Sequence, residues 1–327
     1  MPVTAATHPL LSDHLKRLDP NGKIAAIVEL MSQTNEILQD AVYVEGNLPT
    51  GHRTTIRTGI PLATWRRLNF GVNPAKSRTQ QITEAIGMLE TYAEVDKDLA
   101  DLNGNTSEFR LSEDLAFLEG MNQQFATTLF YGDTVNNPEQ FLGFAPRYAA
   151  LGDPSTIGTS YGNHVIGAGN AGGTSMWLIV WGPSTVHMLY PKGSKGGLSH
   201  RDLGEVTLLD AAGGQLQGYR THYQMKTGLC IRDWRYVVRI ANINPAALTA
   251  NFYQLMIRAK NTIPNLGMGR AALYCNRTLK TWLDIEAAAK ANVNLTISDY
   301  AGQEVTKFHG IPIRQCDAIL NTEAVLV

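Results

Sequence analysis

Two glycine-centred motifs are the chain's clearest offers of chemistry. Gly158-Thr-Ser160-Tyr-Gly162 fits the G-x-S-x-G pattern of a serine nucleophile, and Asp202 and His222 follow in hydrolase order. Such a serine needs a strand before it and a helix after it, so that a strained turn holds the hydroxyl up. Gly167-Ala-Gly169-Asn-Ala-Gly172 fits G-x-G-x-x-G. A dinucleotide site also needs a strand-to-helix turn there, because the helix N-terminus meets the pyrophosphate. Both motifs fall in the segment 151–175, dense in glycine, serine and threonine, which reads as loop. A strand, not a helix, is predicted straight after it, at 176–181. The expectation is therefore no catalytic residue and no cofactor.

The remaining reactive side chains do not cluster in the sequence. Eight histidines form no H-E-x-x-H and no close pair. His187 falls in a predicted strand and His309 at a turn, and both read as satisfied structural histidines. Asp96 and Asp98 flank Lys97 and read as surface charge. Cys230, Cys275 and Cys316 make no C-x-x-C and no zinc spacing, so buried thiols are expected and no metal.

Composition points away from an enzyme surface. Charged residues are 17% of the 327, against about 25% in ordinary globular proteins. A surface so short of charge suggests cover by neighbouring subunits. The net charge of −1 gives no strong pull toward nucleic acid. The N-terminus lacks a signal-peptide core, and no apolar run reaches the ~18 residues of a membrane helix. Synthesis in a cytoplasm and a soluble product with no membrane partner are expected.

The elements are uneven along the chain. Residues 1–41 carry a helical face, Ile24, Ile27, Val28, Met31 and Leu38, too short for a core of its own. Residues 42–75 read as an extended, turn-rich excursion. It holds Arg53, Arg57, Trp65, Arg66, Arg67 and Phe70, and no lysine lies between Lys23 and Lys76. Arginine forks carboxylates, and with two aromatics it suits contacts between chains. Residues 79–95 fit helix or strand, with Ile82, Ile86, Met88 and Tyr92 on one face if strand.

A helix is predicted over 111–130, its stripe running Leu111, Leu115, Leu118, Met121, Phe125, Leu129, with Ser112 as cap. Strands are predicted at 186–190 and across 205–243. Asn244-Pro245 starts a helix with Leu248, Phe252, Leu255 and Ala259 inward. A strand at 271–275, a helix at 277–290 and strands near 295–299, 303–308 and 311–316 follow.

Three blocks together resemble the HK-97-like capsid subunit of tailed bacteriophages. The arm at 42–75 looks like its E-loop, and the helix at 111–130 like its spine helix. The loop Gly132-Asp133-Thr134 … Phe141-Leu142-Gly143-Phe144 is similar to the segment after the spine. AALYCNRTLKTWLD and KFHGIPIRQCDAI look like its A-domain. The resemblance implies an α+β fold divided as N-terminal arm 1–41, E-loop 42–75, spine helix and part of the P-domain 76–150, glycine-rich loop and A-domain strands 151–204, P-domain strands 205–244 and A-domain 245–327. A P-domain-like block before the A-domain block implies a permuted connectivity, as in short-tailed phages.

It also implies a structural subunit, not an enzyme, that forms pentamers and hexamers of an icosahedral head around double-stranded DNA, held weakly and non-specifically. A separate scaffolding protein, a portal and a decoration protein are the implied partners. Assembly is implied in the host bacterial cytoplasm, with the product in the virion capsid. Arg53, Arg57, Trp65, Arg66, Arg67 and Phe70 are the candidate intersubunit residues. The lysine-to-asparagine cross-link of some members is not carried over, since the 42–75 arm has no lysine. An encapsulin-like nanocompartment shell and a hydrolase using Ser160 are the alternatives.

Overall fold

The computed structural model describes residues 35–326, except 105, 153–160, 170–171, 211, 246–247, 249–250, 289–294 and 301–302. The helical face at Ile24 to Met31 and the serine Ser160 lie outside the described residues. A helical turn α1 (Ile37–Asp40) and a short strand β1 (Tyr43–Glu45) lead into β2 (Gly51–Gly59), β3 (Arg78–Ala85) and β4 (Gly87–Asp96). A second turn, α2 (Lys97–Ala100), precedes the long helix α3 (Thr106–Tyr131). Then come β5 (Val165–Gly167), β6 (Thr174–Trp181), β7 (Val186–Tyr190), β8 (Leu198–Leu209), β9 (Gln215–Ile231) and β10 (Val237–Ile243). The last stretch holds α4 (Asn251–Thr262), β11 (Arg270–Cys275), α5 (Arg277–Ala288), β12 (Leu295–Tyr300), β13 (Gln303–Phe308) and β14 (Ile311–Gln315). Among the described residues no helix is long and apolar enough to cross a membrane.

The core is organised around β6, whose residues are all buried. A strand covered on both faces reads as one apolar run rather than an alternation. Trp177, Ile179 and Trp181 point to one side, into a cluster with Phe125, Leu129, Phe130, Phe144 and Tyr148. Met176, Leu178 and Val180 point to the other, among Phe252, Met256, Leu279 and Leu283 of α4 and α5. The sheet runs β12-β13-β14-β11-β6-β7-β9-β4, with β10 against β6 and β8 against β9. The long strand β9 pairs with β7 at its end and with β4 and β8 before that, so it joins two regions of the sheet. In chain order the β8–β9 hairpin precedes the 270–316 block. Helix α4 starts at Asn251, later than Asn244-Pro245 suggests, with Phe252 and Ala259 buried. Asn276 caps α5, its side-chain oxygen accepting from the Leu279 amide at 3.0 Å.

Residues 79–95 are strand, not helix. In β4, Ala93 and Val95 are buried and Leu89 half-buried, while Met88 and Tyr92 are exposed. The inward face is thus the odd-numbered one, opposite to the Met88 and Tyr92 face expected. The long helix begins earlier than read, at Thr106, so Ser112 is not its cap. The Ser112 hydroxyl instead donates back to the Phe109 carbonyl at 3.1 Å, within the helix. The stripe is buried only in its second half: Met121, Phe125 and Leu129 are inside, whereas Leu111 and Leu115 are exposed.

The loop after α3 explains why the helix stops where it does. A helix end leaves carbonyls without partners. Here the amides of Gly143, Phe144 and Ala145 donate to the carbonyls of Gly132, Leu129 and Phe130 at 2.7–3.0 Å. Gly143 must be glycine, since a Cβ there would meet the Thr128 carbonyl oxygen at 2.7 Å. The close approach drops Phe141 and Phe144 into the core, with Phe125 edge-on to Phe141. Phe125→Ala is expected to cost about 3–5 kcal/mol. Thermal melting of the isolated subunit measures it, and an unchanged melting temperature would contradict the packing.

The C-terminal segment straps back over β10. Arg239 is buried, lies 5.0 Å from the Trp177 ring and donates to the Tyr148 carbonyl at 2.8 Å and to Glu323 at 2.9 Å. Glu323 also accepts from the Tyr131 and Ser175 hydroxyls. Asn242 clasps the Leu326 backbone from both sides, donating at 2.8 Å and accepting at 2.9 Å. At the other end of the described chain, the Asn35 side-chain oxygen accepts from the Cys316 thiol and the Ala318 amide.

One buried histidine makes the fold sensitive to acid. His164 donates from Nδ1 to the Val237 carbonyl and lies edge-on to Trp234. Burial pushes it down to about 4, against opposing pulls from the Val237 bond and Asp233, while Arg235 adds to the fall. Its folded value is below its unfolded value, so its contribution is full above about pH 6.5 and is lost as pH falls through 4. The expected loss is on the order of 2–3 kcal/mol. Melting of the parent from pH 7 to 4 beside His164→Asn, which does not titrate, should show a steeper fall in the parent. Parallel curves would refute this.

Candidate subunit interface

The excursion is a two-stranded ribbon. β2 and β3 pair antiparallel from Gly51 opposite Ala85 to Gly59 opposite Arg78. Its second strand thus lies beyond 42–75, and the excursion runs on to Ala85. Thr54, Ile56 and Thr58 favour strand, but the ribbon has no apolar face with which to stand alone. It is fixed at its base. Arg147, from the loop after α3, forks the Glu84 carboxylate at 2.8 and 2.5 Å, and both side chains are 8% exposed. Gly51 permits this close base, since a Cβ would meet the Glu84 carbonyl oxygen at 2.4 Å.

The distal loop, 60–77, is the unusual part. Trp65 is wholly exposed, and Ile60, Leu62 and Leu68 are each more than 80% exposed. Phe70 and Val72 are also exposed, as are Arg66 and Arg67. Among the described residues the loop holds itself only by a turn from the Phe70 amide to the Arg67 carbonyl, beside Asn69 at φ 66°. The structure therefore brings Trp65, Arg66, Arg67 and Phe70 together at one tip. Arg53 and Arg57 lie apart from them, along β2. The Arg53 side chain donates to the Thr83 hydroxyl at 3.4 Å, and Arg57 sits opposite Thr79.

Fully burying a large apolar side chain is worth about 1.5–3 kcal/mol, so six left in water are a large unused driving force. A concentrated apolar patch of this kind marks an interaction site. Tryptophan and arginine are the side chains that most often dominate such contacts. Sequence reasoning missed Ile60, Leu62, Leu68 and Val72. The signal was present in the apolar residues from Ile60 to Val72, of which only Leu68, Phe70 and Val72 make a run of three that alternates as a strand would. The excursion also contains Lys76, so it is not lysine-free as the 42–75 span suggested.

The two glycine motifs do not build a site. Asp202 accepts from Arg110 at 2.7 Å and from the Gly204 amide. Arg110 and that amide hold its carboxyl below the usual range. His222 stacks on Tyr92 and lies 3.4 Å from Glu90. No hydrogen bond joins Asp202 to His222 among the described residues. Gly167 ends β5, and β6 follows from Thr174, so among the described residues a strand, not a helix, follows the motif.

The comparisons agree with the geometry. The model of the major capsid protein GP7 family matches residues 19–327. The solved structure of bacteriophage Epsilon15 is similar over 100% of this chain and 99% of that one, with 36% identity and a TM-score of 0.77. The capsid of bacteriophage JBD30 is similar over 89% and 93% of the two chains, at 11% identity and a TM-score of 0.48. The SrpI encapsulin of Synechococcus elongatus covers 70% of this chain and 94% of its own, at 9% identity and a TM-score of 0.44. No curated protein sequence matches. With a mixed α+β capsid fold, a long spine helix and a family match over nearly its whole length, the chain belongs to the major capsid protein GP7 family of shell-forming phage proteins.

Proposed function

We propose that the subunit assembles into pentamers and hexamers of an icosahedral head that encloses double-stranded DNA, with the hairpin tip of each copy seated on a neighbour. The exposed tip carries this reading: Trp65, Phe70 and the other large apolar residues have no use within one chain. Heterologous contacts that close into rings are what a shell requires. Arg53, Arg57, Arg66 and Arg67 are the candidate partners for carboxylates of the adjoining copy. The net charge of −1 supports only weak, non-specific contact with the enclosed DNA. Residues 1–41 act as an arm and the 198–231 hairpin with α3 as the P-domain. The order of that hairpin before the 270–316 A-domain block supports a permuted connectivity.

A separate scaffolding protein, a portal and a decoration protein complete the proposal, with assembly in the host bacterial cytoplasm. Electron microscopy of the purified chain tests it directly. Closed particles that package DNA in the infected host support the head. Closed particles that hold protein cargo and no DNA would instead favour a nanocompartment. The subunit is proposed to have no enzymatic centre. Ester hydrolysis by the parent that disappears in Ser160→Ala would overturn that.

A further inference from the structure

We propose that His52, His187 and Cys230 form a binding site for a thiophilic divalent cation such as zinc, which staples the base of the hairpin to the core sheet. Their ligand atoms lie within 4.8 Å of one another. His187 and Cys230 face each other in the register of β7 and β9, and His52 comes from β2, near the foot of the hairpin. The two imidazoles meet edge to face, with ring centres 6.0 Å apart.

His187 points to a missing ligand. It is 1% exposed, and among the described residues neither ring nitrogen has a hydrogen-bond partner of good geometry. Leaving a buried polar group unpaired is costly, and each such group calls for an explanation. The Gly182 carbonyl lies near the ring but is already taken by the Thr185 amide and hydroxyl. A metal on one nitrogen would fix the other as N–H and orient it toward such a carbonyl, the usual outer support of a ligating histidine. The structural role expected from sequence, a satisfied histidine, is therefore not what the structure shows.

The donor set suits the cation. Two imidazoles and a thiolate are ligands typical of zinc, and three protein ligands leave one position for water. Tetrahedral coordination brings nitrogen and sulfur ligands to roughly 3.5 Å from one another, so the side chains close by about 1 Å. His52 is only half-buried and supplies that movement. Its Nδ1 accepts from the Asn47 amide at 3.2 Å, an exposed contact that loading exchanges for a ligand bond. Binding releases the Cys230 thiol proton to solvent as the sulfur–metal bond forms. Glu84 is committed to Arg147 and stays outside the set.

The test uses the untagged full chain, as free subunit or particle, stripped by chelator and titrated with cobalt(II). One equivalent should bind with a thiolate-to-cobalt charge-transfer band that zinc abolishes. Cys230→Ser should lose the band, and His52→Gln, at a half-exposed position, should weaken binding at least tenfold. Cys275→Ser should keep both. No stoichiometric uptake by the parent overturns the proposal, as does a band that survives in Cys230→Ser. If Cys230→Ser fails to fold, unweakened binding by His52→Gln decides against it. Metal uptake is read without reference to particle formation, so its failure leaves the shell reading intact.

Discussion

Replacing residues 60–77 by an Asn-Gly turn should leave the subunit folded and abolish closed particles. The loop makes almost no contact with the rest of its own chain, so its removal takes nothing from the core. The strands it joins stay paired to Gly59 and Arg78. Melting of the isolated subunit should move little, while sedimentation and electron microscopy should show free subunits in place of shells. Trp65→Ala alone should weaken assembly strongly. A central contact of this type is worth about 2 kcal/mol or more, and a shell repeats the loss at every subunit. Normal closed particles from the loop replacement would show that the tip is dispensable.

Glu323→Ala should be among the most destabilising single changes in the chain, about 3–5 kcal/mol. It leaves the Arg239 guanidinium buried beside Trp177 without its carboxylate. It also strips the Tyr131 and Ser175 hydroxyls of their acceptor. Burial and the Glu323 carboxylate push the Tyr131 phenol well up, so that hydroxyl keeps its proton and acts as donor throughout the ordinary pH range. Removing both charges together, as Arg239→Met with Glu323→Leu, should recover much of the loss, because a buried pair costs desolvation that apolar packing avoids. Denaturant melts of the parent and the two variants decide it. Equal stability of Glu323→Ala and the parent would mean that the tail strap is not part of the folded core.

What the sequence made legible follows from which interactions are local. β6 could be read because a strand buried on both faces is one apolar run from Met176 to Trp181. The spine helix could be read from its period, although it starts earlier, at Thr106, because the buried Phe109 stands two residues before Leu111 and so outside the stripe's three- and four-residue spacing. Residues 79–95 satisfied both periods, and only pairing with β2 and β9 decides for strand. The six candidate interface residues are all exposed, but the tip's extra apolar residues form no stripe longer than Leu68, Phe70 and Val72 and escaped notice. The His52–His187–Cys230 cluster had no sequence signature at all. Sheet register pairs His187 with Cys230, the foot of the separate β2–β3 ribbon brings His52 beside them, and no spacing along the chain encodes that.

The clasp between Asn35 and the Cys316–Ala318 backbone and thiol has a consequence for how the subunit is made. Its two halves are 281 residues apart in the chain. A ribosome adding about 5–20 residues per second leaves the first half waiting roughly 15–60 s for the second. The hairpin emerges early in that interval, with Trp65 and its apolar neighbours in water and the sheet that aims them still unmade. Nascent chains crowded on one message would thus present adhesive tips before they possess a body, so the demand on chaperones falls during synthesis rather than after release.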